Sequence, residues 1–353
     1  MRYHLLCTKC GSTYESSYTQ QICSKCSGIL EIVYDGKPSI LEKKLSSFWG
    51  FLPALPSGNY HKYEVGLTKT LKSSDFASTY MKMEIGNPTH SFKDRGSVIE
   101  VGKAFDYGYK EVVCASTGNM AYSVAYYAKL YGIKAKIFIS NNASKDKVRD
   151  IRETHDADVT RVKGDFNKAQ KLAEAYAKRN KAFLAGDYCY RKEGQKTIAY
   201  EIMLSGIDAD SIFVPVGNAT LLAGTFKAIE ELKASKRHGK LPAIIGVESS
   251  ACSPLYKAFK GKKGIKYETP RTKADAIAVG YPTYGNQALQ YMHEYKGSMR
   301  IASEAGMLRE QRSFTNTYGL QVELAGVASL AAIRSGRGVL KGRSVAVITG
   351  ANI

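Results

Sequence analysis

No apolar run in this sequence approaches the roughly 20 residues that cross a bilayer, which excludes a helical membrane span. The start, Met1-Arg2-Tyr3-His4-Leu5-Leu6-Cys7, is too short and interrupted for a secretory signal, so a cytoplasmic protein is expected. Internal repeats and low-complexity tracts are missing too, which excludes stacked-repeat and compositionally disordered architectures. Acid is scarce against base: 32 Asp and Glu face 51 Lys and Arg, a net charge of +19. Such a surface suits nucleic acid, or it speeds the encounter with anionic small molecules. The basic residues are scattered, with only short clusters such as Lys260-Gly261-Lys262-Lys263, so a solvated surface is expected and nucleic-acid binding is the minor reading. What is present is ordinary for a soluble globular chain, 44% apolar and 24% charged. At 353 residues it can bury a large core and form two or three structural units.

The stretch that organises the chain is Asn87-Pro88-Thr89-His90-Ser91-Phe92-Lys93-Asp94-Arg95-Gly96. Before it, Met81, Met83 and Ile85 alternate with Tyr80, Lys82 and Glu84, the pattern of a half-buried strand over 79–85. Gly86, Asn87 and Pro88 break that strand. Ser91 with Asp94 reads as a capping box, and Val98, Val101 and Phe105 supply an apolar stripe at helical spacing. Lys93 therefore falls in the first turn of a helix, where the dipole disfavours a cation by roughly 0.3–1 kcal/mol. Partial burial would lower its pKa further, and a lysine so depressed forms Schiff bases. A solvated lysine that snorkels past the helix start fits the same spacing.

Cys7-x-x-Cys10 and Cys23-x-x-Cys26 lie twelve residues apart, with Gly11 and Gly28 just beyond the pairs. Two such knuckles bring four thiolates to a tetrahedral zinc, and a cytoplasmic setting disfavours the alternative of disulfides. With no other ligand or open position in sight, the site reads as structural. Cys114, Cys189 and Cys252 remain, and are expected to be buried, inert thiols.

Residues 36–66 are turn-rich and are expected to drape over the main domain. Beyond the lysine helix, short β runs alternate with helical stripes. Strands are expected at 111–115, 133–139, 158–162, 182–185, 211–216, 243–247 and 343–349. Helices are expected from Tyr122 through Ala128 and at 166–179, 194–205, 221–234, 285–295 and 321–335. Repeated βαβ units predict a mostly parallel, twisted sheet. Two strand-to-helix loops stand out as anion sites, because hydroxyls and backbone N–H groups meet at a helix start. They are Ser116-Thr117-Gly118-Asn119 and Gly217-Asn218-Ala219-Thr220-Leu221. Each is also compatible with a simple capped turn.

The ten residues around Lys93 closely resemble the lysine motif of the threonine synthase family, within the fold-type II pyridoxal-phosphate (PLP) enzymes, with His90 where the family often has Gly. The resemblance extends to Arg191-x-Glu193-Gly194-Gln195-Lys196-Thr197, to Gly164-Asp165-Phe166-Asn167, and to the cysteine-rich start ending in Gly28-Ile29-Leu30-Glu31. Gly66-Leu67-Thr68-Lys69-Thr70-Leu71 is similar to the family's Gly-x-Thr-Pro-Leu entry, with Lys69 in place of proline. It implies a two-lobed α/β fold of the tryptophan synthase β type with mostly parallel sheets, plus an N-terminal zinc ribbon. The implied division is 1–36 for the ribbon, 37–83 with 179–353 for a large PLP-binding lobe, and 84–178 for a smaller mobile lobe carrying the lysine.

By the same resemblance Lys93 is the catalytic residue and carries PLP as a Schiff base. Ser116, Thr117 and Gly118 bind the substrate carboxylate, and Asn119 contacts the cofactor's ring hydroxyl. Gly217, Asn218, Ala219, Thr220 and Leu221 resemble the family's Gly-Asn-Gly-Gly-Asn phosphate cup with Ala219, Thr220 and Leu221 as departures, and Ala219 is tolerable if its φ is negative. Thr349 stands where a hydroxyl meets the pyridine nitrogen, and Arg191 is a substrate-binding residue. Relatives usually continue past the position of Ile353, so the cofactor's back wall is expected to be either thinner or completed by a partner subunit, and a homodimer is usual in the family. The implied reaction turns O-phosphohomoserine and water into threonine and phosphate. Before Arg191 the family's Asn-Pro-Tyr has become Tyr188-Cys189-Tyr190, which keeps open a cysteate synthase-like β-replacement on O-phosphoserine. A reading from another class, a zinc-ribbon nucleic-acid binder on a dead enzyme scaffold, is opposed by the intact Lys93, Asn119 and Thr349.

Overall fold

The computed structural model describes residues 1–38, 45–116, 118–140, 145–164, 166–235, 240–336 and 342–351. In chain order the elements begin with three short strands, β1 (Tyr3–Cys7), β2 (Thr13–Glu15) and β3 (Leu30–Tyr34). Then come β4 (Thr70–Lys72), β5 (Thr79–Met83), α1 (Lys93–Asp106), β6 (Glu111–Ala115), α2 (Asn119–Leu130) and β7 (Lys134–Ser140). They are followed by α3 (Lys145–His155), β8 (Asp158–Val162), α4 (Phe166–Asn180), β9 (Phe183–Leu184), α5 (Cys189–Gln195) and α6 (Thr197–Leu204). The rest comprises β10 (Ser211–Pro215), α7 (Thr220–Ser235), β11 (Ala243–Ser249), α8 (Pro254–Gly261) and α9 (Gly285–Glu294). Last are β12 (Ser298–Ala302), α10 (Glu304–Tyr318), α11 (Ala328–Ser335) and β13 (Ser344–Ile348).

The chain divides into two compact units. One holds Met1–Leu41, Ser47–Val65 and Lys93–Gly194, and the other Glu42–Ser46, Gly66–Phe92 and Gln195–Ile353. The sequence reading puts the divisions earlier, before residues 84 and 179. Residues 90–92 stay with the second unit because they pair with the exit of β13: Ser91 bridges Gly350, and Phe92 N–H donates to Thr349 O at 3.0 Å.

In the first unit β1, β2 and β3 form an antiparallel sheet of order β2-β1-β3, and β6 to β9 a parallel sheet of order β8-β7-β6-β9. Ala169, Ala173 and Ala177 repeat every four residues along α4 and lay a small-residue stripe on Val113, Ala115, Phe138 and Val162. In the second unit six strands run β12-β11-β10-β13-β5-β4, all parallel except the edge strand β4. Every residue of β10 and β13 is buried, as expected for parallel strands covered on both faces. Their core joins Phe213, Val247, Ala346 and Ile348 to α10 through Met307 and Phe314, to α11 through Leu330, and to Val327 just before α11.

Beyond the short strands β1, β2 and β3 of the cysteine-rich start, six elements among the described residues lie outside the sequence expectations: β4, α3, α5 (reached only at its last two residues by the helix expected at 194–205), α8, β12 and α10. A signal for α10 was there. Ser303 caps its start by accepting from Gly306 N–H, Glu304 suits the dipole, and Gly319 (φ +67°) ends it in the left-handed conformation. The helix expected at 321–335 is shorter, with α11 starting at Ala328 after a 3₁₀ turn, Ala325–Val327.

Candidate active site

Lys93 opens α1, directly after the segment pinned to the exit of β13. That segment needs a left-handed residue at His90 (φ +55°), which explains why a glycine-preferring position recurs there. The His90 imidazole compensates locally, Nδ1 lying 3.3 Å from Ile85 O as a donor. The Lys93 side chain is only 17% exposed and its ammonium lies 3.9 Å from Asp187 Oδ1. A lysine adrift in solvent is therefore ruled out by its surroundings. Asp187, a buried carboxylate after β9, was missed in the sequence; its only signal was the Gly186-Asp187 turn closing a strand.

The Ser91 hydroxyl does not make its half of a capping box. Asp94 accepts a 2.6 Å hydrogen bond from Ser123 Oγ of α2, which ties the two helices together, and the buried Ser91 hydroxyl has no hydrogen-bond partner among the described residues. The Gln195 side-chain amide is likewise fully buried with neither atom paired. Orphaned buried polar atoms cost about 1–3 kcal/mol each, so a ligand that satisfies them is favoured.

At the first anion loop, Ser116 Oγ accepts from Gly118 N–H at 3.3 Å, and half-buried Asn119 starts α2. Thr117 lies outside the described residues. The second loop joins β10 to α7, so the positive end of a 16-residue helix faces the turn at Gly217–Leu221. Asn218 is anchored: its carbonyl accepts from Tyr284 N–H at 2.9 Å and its Oδ1 from Thr283 Oγ1 at 3.2 Å. Ala219 has φ +61°, so the condition of a negative φ under which an alanine is tolerated there is not met. Its Cβ carries the strain of a left-handed non-glycine residue, about 1–2 kcal/mol, because successive N–H groups converge only if the chain turns this way. Thr349 is buried at the end of β13.

Arg191, expected at the substrate, is bonded mainly to the protein itself. It is wholly buried and its guanidinium is spent within the protein: Nε donates to Gly186 O (2.8 Å), Nη1 to Lys93 O (3.3 Å), and Nη2 to Ser97 Oγ (3.1 Å) and Glu100 Oε2 (2.6 Å). Four of its five N–H groups are thus engaged within the protein, one of them at the start of α1. Burial raises the Glu100 carboxyl's pKa, and the Arg191 charge opposes that shift. Of the rest of that motif, Lys192 pairs with Glu31, Glu193 accepts from Tyr34, and Lys196 pairs with Glu231 at 2.9 Å.

The four cysteines converge: their Sγ atoms all lie within 4.8 Å of one another. Cys7–Cys26 and Cys10–Cys23 are 3.5 and 3.7 Å apart, near the edge of about 3.8 Å for thiolates about 2.3 Å from a tetrahedral zinc. Gly11 N–H returns to Cys7 O and Ser27 N–H to Cys23 O, so the knuckles match, with Ser27 (φ +56°) in the place of Gly11 (φ +71°). Gly28 is required for another reason, since a Cβ there would lie 2.9 Å from Cys7 Sγ. Cys114, Cys189 and Cys252 are buried, and burial pushes their thiols up, to about 12 and about 11 for Cys114 and Cys252.

A match to the pyridoxal-phosphate dependent enzyme family spans residues 62–350. The chain belongs to that family. It is 32% identical to the threonine synthase of Methanosarcina acetivorans across 94% of this chain and 86% of the relative, and 31% identical to that of Methanocaldococcus jannaschii across 93% and 86%. Among solved structures, maize serine racemase superposes with a TM-score of 0.72 at 20% identity, covering 81% of this chain and 88% of that one. The processed form of threonine deaminase isoform 2 from Solanum lycopersicum does so with 0.68 at 24%, covering 78% and 75%. These likenesses show the mixed α/β fold.

For a PLP enzyme the residues fit. Lys93, Ser116, Gly118 and Asn119 fall in the first unit, and Ser91, Gln195, Gly217–Leu221 and Thr349 in the second. The half-buried amine suits the aldehyde, the α7 start suits the phosphate, and a neutral threonine hydroxyl suits the pyridine nitrogen. No helix among the described residues is long and apolar enough to cross a membrane.

Proposed function

We propose that this protein is a threonine synthase, a phosphate-eliminating lyase that converts O-phosphohomoserine and water to threonine and phosphate. The observation that carries the reading is a half-buried helix-start lysine in a chain similar along nearly all its length to threonine synthases. PLP, when bound, would delocalise the electron pair left on the substrate when a proton is removed. Lys93 would hold the cofactor and then take the proton from Cα. Ser116, Gly118 and the neighbouring Thr117 would orient the substrate carboxylate, with Asn119 against the cofactor's ring hydroxyl. Residues 217–221 would bind the cofactor phosphate through backbone N–H groups. Thr349 would meet the pyridine nitrogen with a hydroxyl, which, unlike a carboxylate, leaves that nitrogen weakly basic. Arg191 would keep the start of α1 in place. Cys7, Cys10, Cys23 and Cys26 would hold a structural zinc ion, completing an N-terminal ribbon. A cytoplasmic homodimer is the proposed setting.

A second reading, β-replacement on O-phosphoserine with sulfite, rests on one observation: Tyr188-Cys189-Tyr190 stands in place of the family's Asn-Pro-Tyr. The test has two steps. Purified protein should be yellow, and borohydride should fix the cofactor to Lys93; a colourless protein that refuses PLP would overturn both readings. Phosphate release from O-phosphohomoserine, set against turnover of O-phosphoserine with sulfite, then chooses between them.

A further inference from the structure

We propose that the cysteine ribbon is a clamp that positions Lys93, with Gln21 as the linking side chain. The inference rests on the proposed role of Lys93. Gln21 is buried, two residues before Cys23. Its Nε2 donates to Glu100 Oε1 at 3.0 Å and to Leu184 O at 2.5 Å. The other oxygen of Glu100 takes Arg191 Nη2, and the same guanidinium donates to Lys93 O. Three buried side chains thus join the second knuckle to the backbone of the lysine. None of the three is exposed by more than 2%.

The grip extends along α5. Cys189 Sγ lies 3.8 Å from Gln21 Oε1, the Tyr190 hydroxyl 3.0 Å from that of Tyr3, Lys192 pairs with Glu31, and Tyr34 donates to Glu193 at 2.5 Å. Every side chain from Cys189 to Glu193 is therefore held by the ribbon directly or, for Arg191, through Glu100. Removing one partner from a buried charged network leaves an uncompensated group, so the network is either whole or rearranged. Gln21 can serve two acceptors only while its backbone is fixed, and what fixes it is the knuckle. Ile22 bridges Ile29, and Cys23 N–H donates to Gly28 O at 2.9 Å, beside four thiolates that a metal would hold together. The ribbon is then part of the catalytic apparatus at one remove. Gln21 is a positioning residue.

The test compares wild type with Gln21→Ala, which keeps all four cysteines. Gln21→Ala should retain zinc by metal analysis and still take up PLP. Its kcat should fall by about tenfold or more with KM changed less than twofold, since a misplacement of about 1 Å can cost about 10²-fold in rate. Should that variant misfold, Tyr34→Phe removes only one hydroxyl, which donates to Glu193 at 2.5 Å and lies 3.2 Å from Ala54 O, and should lower kcat in the same sense. Independently of turnover, chelating the zinc of wild type should speed amide hydrogen exchange at residues 97–100 and 189–194 by tenfold or more. Exchange that rises only within residues 1–36, or a Gln21→Ala enzyme with unchanged kcat, overturns the clamp. Failure of the functional reading looks different: wild type would refuse PLP, while the exchange result would still report on the clamp.

Discussion

Gly194→Ala is the sharpest perturbation of the lysine's surroundings. Gly194 lies against the first turn of α1, where a Cβ would sit 1.8 Å from Arg95 O, 2.6 Å from Arg95 C and 2.9 Å from Gly96 Cα. All three obstacles are backbone, so no side chain can swing aside. Reaching even a tight 3.0 Å contact with that oxygen requires the two helices to part by about 1.2 Å. Overpacking of this kind costs about 1–3 kcal/mol in stability, and the top of that range is expected here because both sides are main chain. The displaced turn is the one that begins with Lys93, and a shift of about 1 Å at a reacting group costs about 10²-fold in rate, or about 2.7 kcal/mol of barrier. The assay is phosphate release with a parallel denaturant titration. Gly261→Ala at the end of α8, with nothing within 4 Å of its Cβ, is the control and should be neutral or slightly stabilising. A Gly194→Ala protein as active and as stable as wild type would refute the close approach of α5 and α1 on which the account of Lys93 depends.

Three further outcomes are expected. Metal analysis should find one zinc per chain, and Cys10→Ser should both lose it and lower the denaturant midpoint, because structural zinc contributes folding free energy outright; full stability without metal would count against a zinc ribbon. Ala219→Gly should be close to neutral. Relief of about 1–2 kcal/mol of left-handed strain offsets about 0.5–1 kcal/mol of glycine flexibility and about 0.8 kcal/mol for the lost methyl. Ala223→Gly, one turn into α7, has no such relief and should cost about 1.5–2 kcal/mol, so equal midpoints for the two variants would contradict the φ of +61°. His155 packs edge-on against Tyr122, and burial, with Lys129 adding to it, lowers its pKa to about 4. The unfolded chain then binds the proton more tightly, so stability should fall as pH drops from about 6.5 towards 4, by up to about 3 kcal/mol. His155→Phe should flatten that slope, and an unchanged pH profile would rule out a neutral buried imidazole.

Much of the fold was legible because its signals are local. Alternation marked β5, continuous apolar runs marked β10 and β13, and strand-to-helix turns placed both anion loops within a residue or two of where they lie. The paired knuckles were equally plain, since their ligand spacing is itself the constraint. What stayed hidden depends on partners distant in sequence. Ser91 and Asp94 carry the letters of a capping box, yet Ser123 of α2 claims the carboxylate. Arg191 looked like a substrate ligand, and only the tertiary fold brings Glu100 and the Lys93 carbonyl to its guanidinium. Left-handed backbone at His90 and Ala219 could not be read either, because neither residue advertises it.

The departures from the threonine synthase pattern then acquire a physical reason. Tyr188, Cys189 and Tyr190 stand where the family has Asn-Pro-Tyr, and in isolation they suggest a lost substrate contact. In the fold they face inward: the Tyr190 hydroxyl lies 3.0 Å from that of Tyr3 and 2.7 Å from that of Tyr107, and Cys189 meets Gln21. A proline at 189 would delete the thiol that meets Gln21, and an asparagine at 188 would lack the ring that packs beside Gly186. Of the two changed residues, Cys189 meets the ribbon at Gln21 and Tyr188 packs beside Gly186, so both have a packing role that requires no change of substrate. If that is right, Tyr190→Phe should loosen the Tyr3 contact and lower stability by about 0.5–1.5 kcal/mol, the net worth of a buried hydrogen bond, while leaving the ratio of O-phosphohomoserine to O-phosphoserine turnover where it was. A shift in that ratio of tenfold or more would instead place residues 188–190 at the substrate, and the β-replacement reading would gain what the ribbon lost.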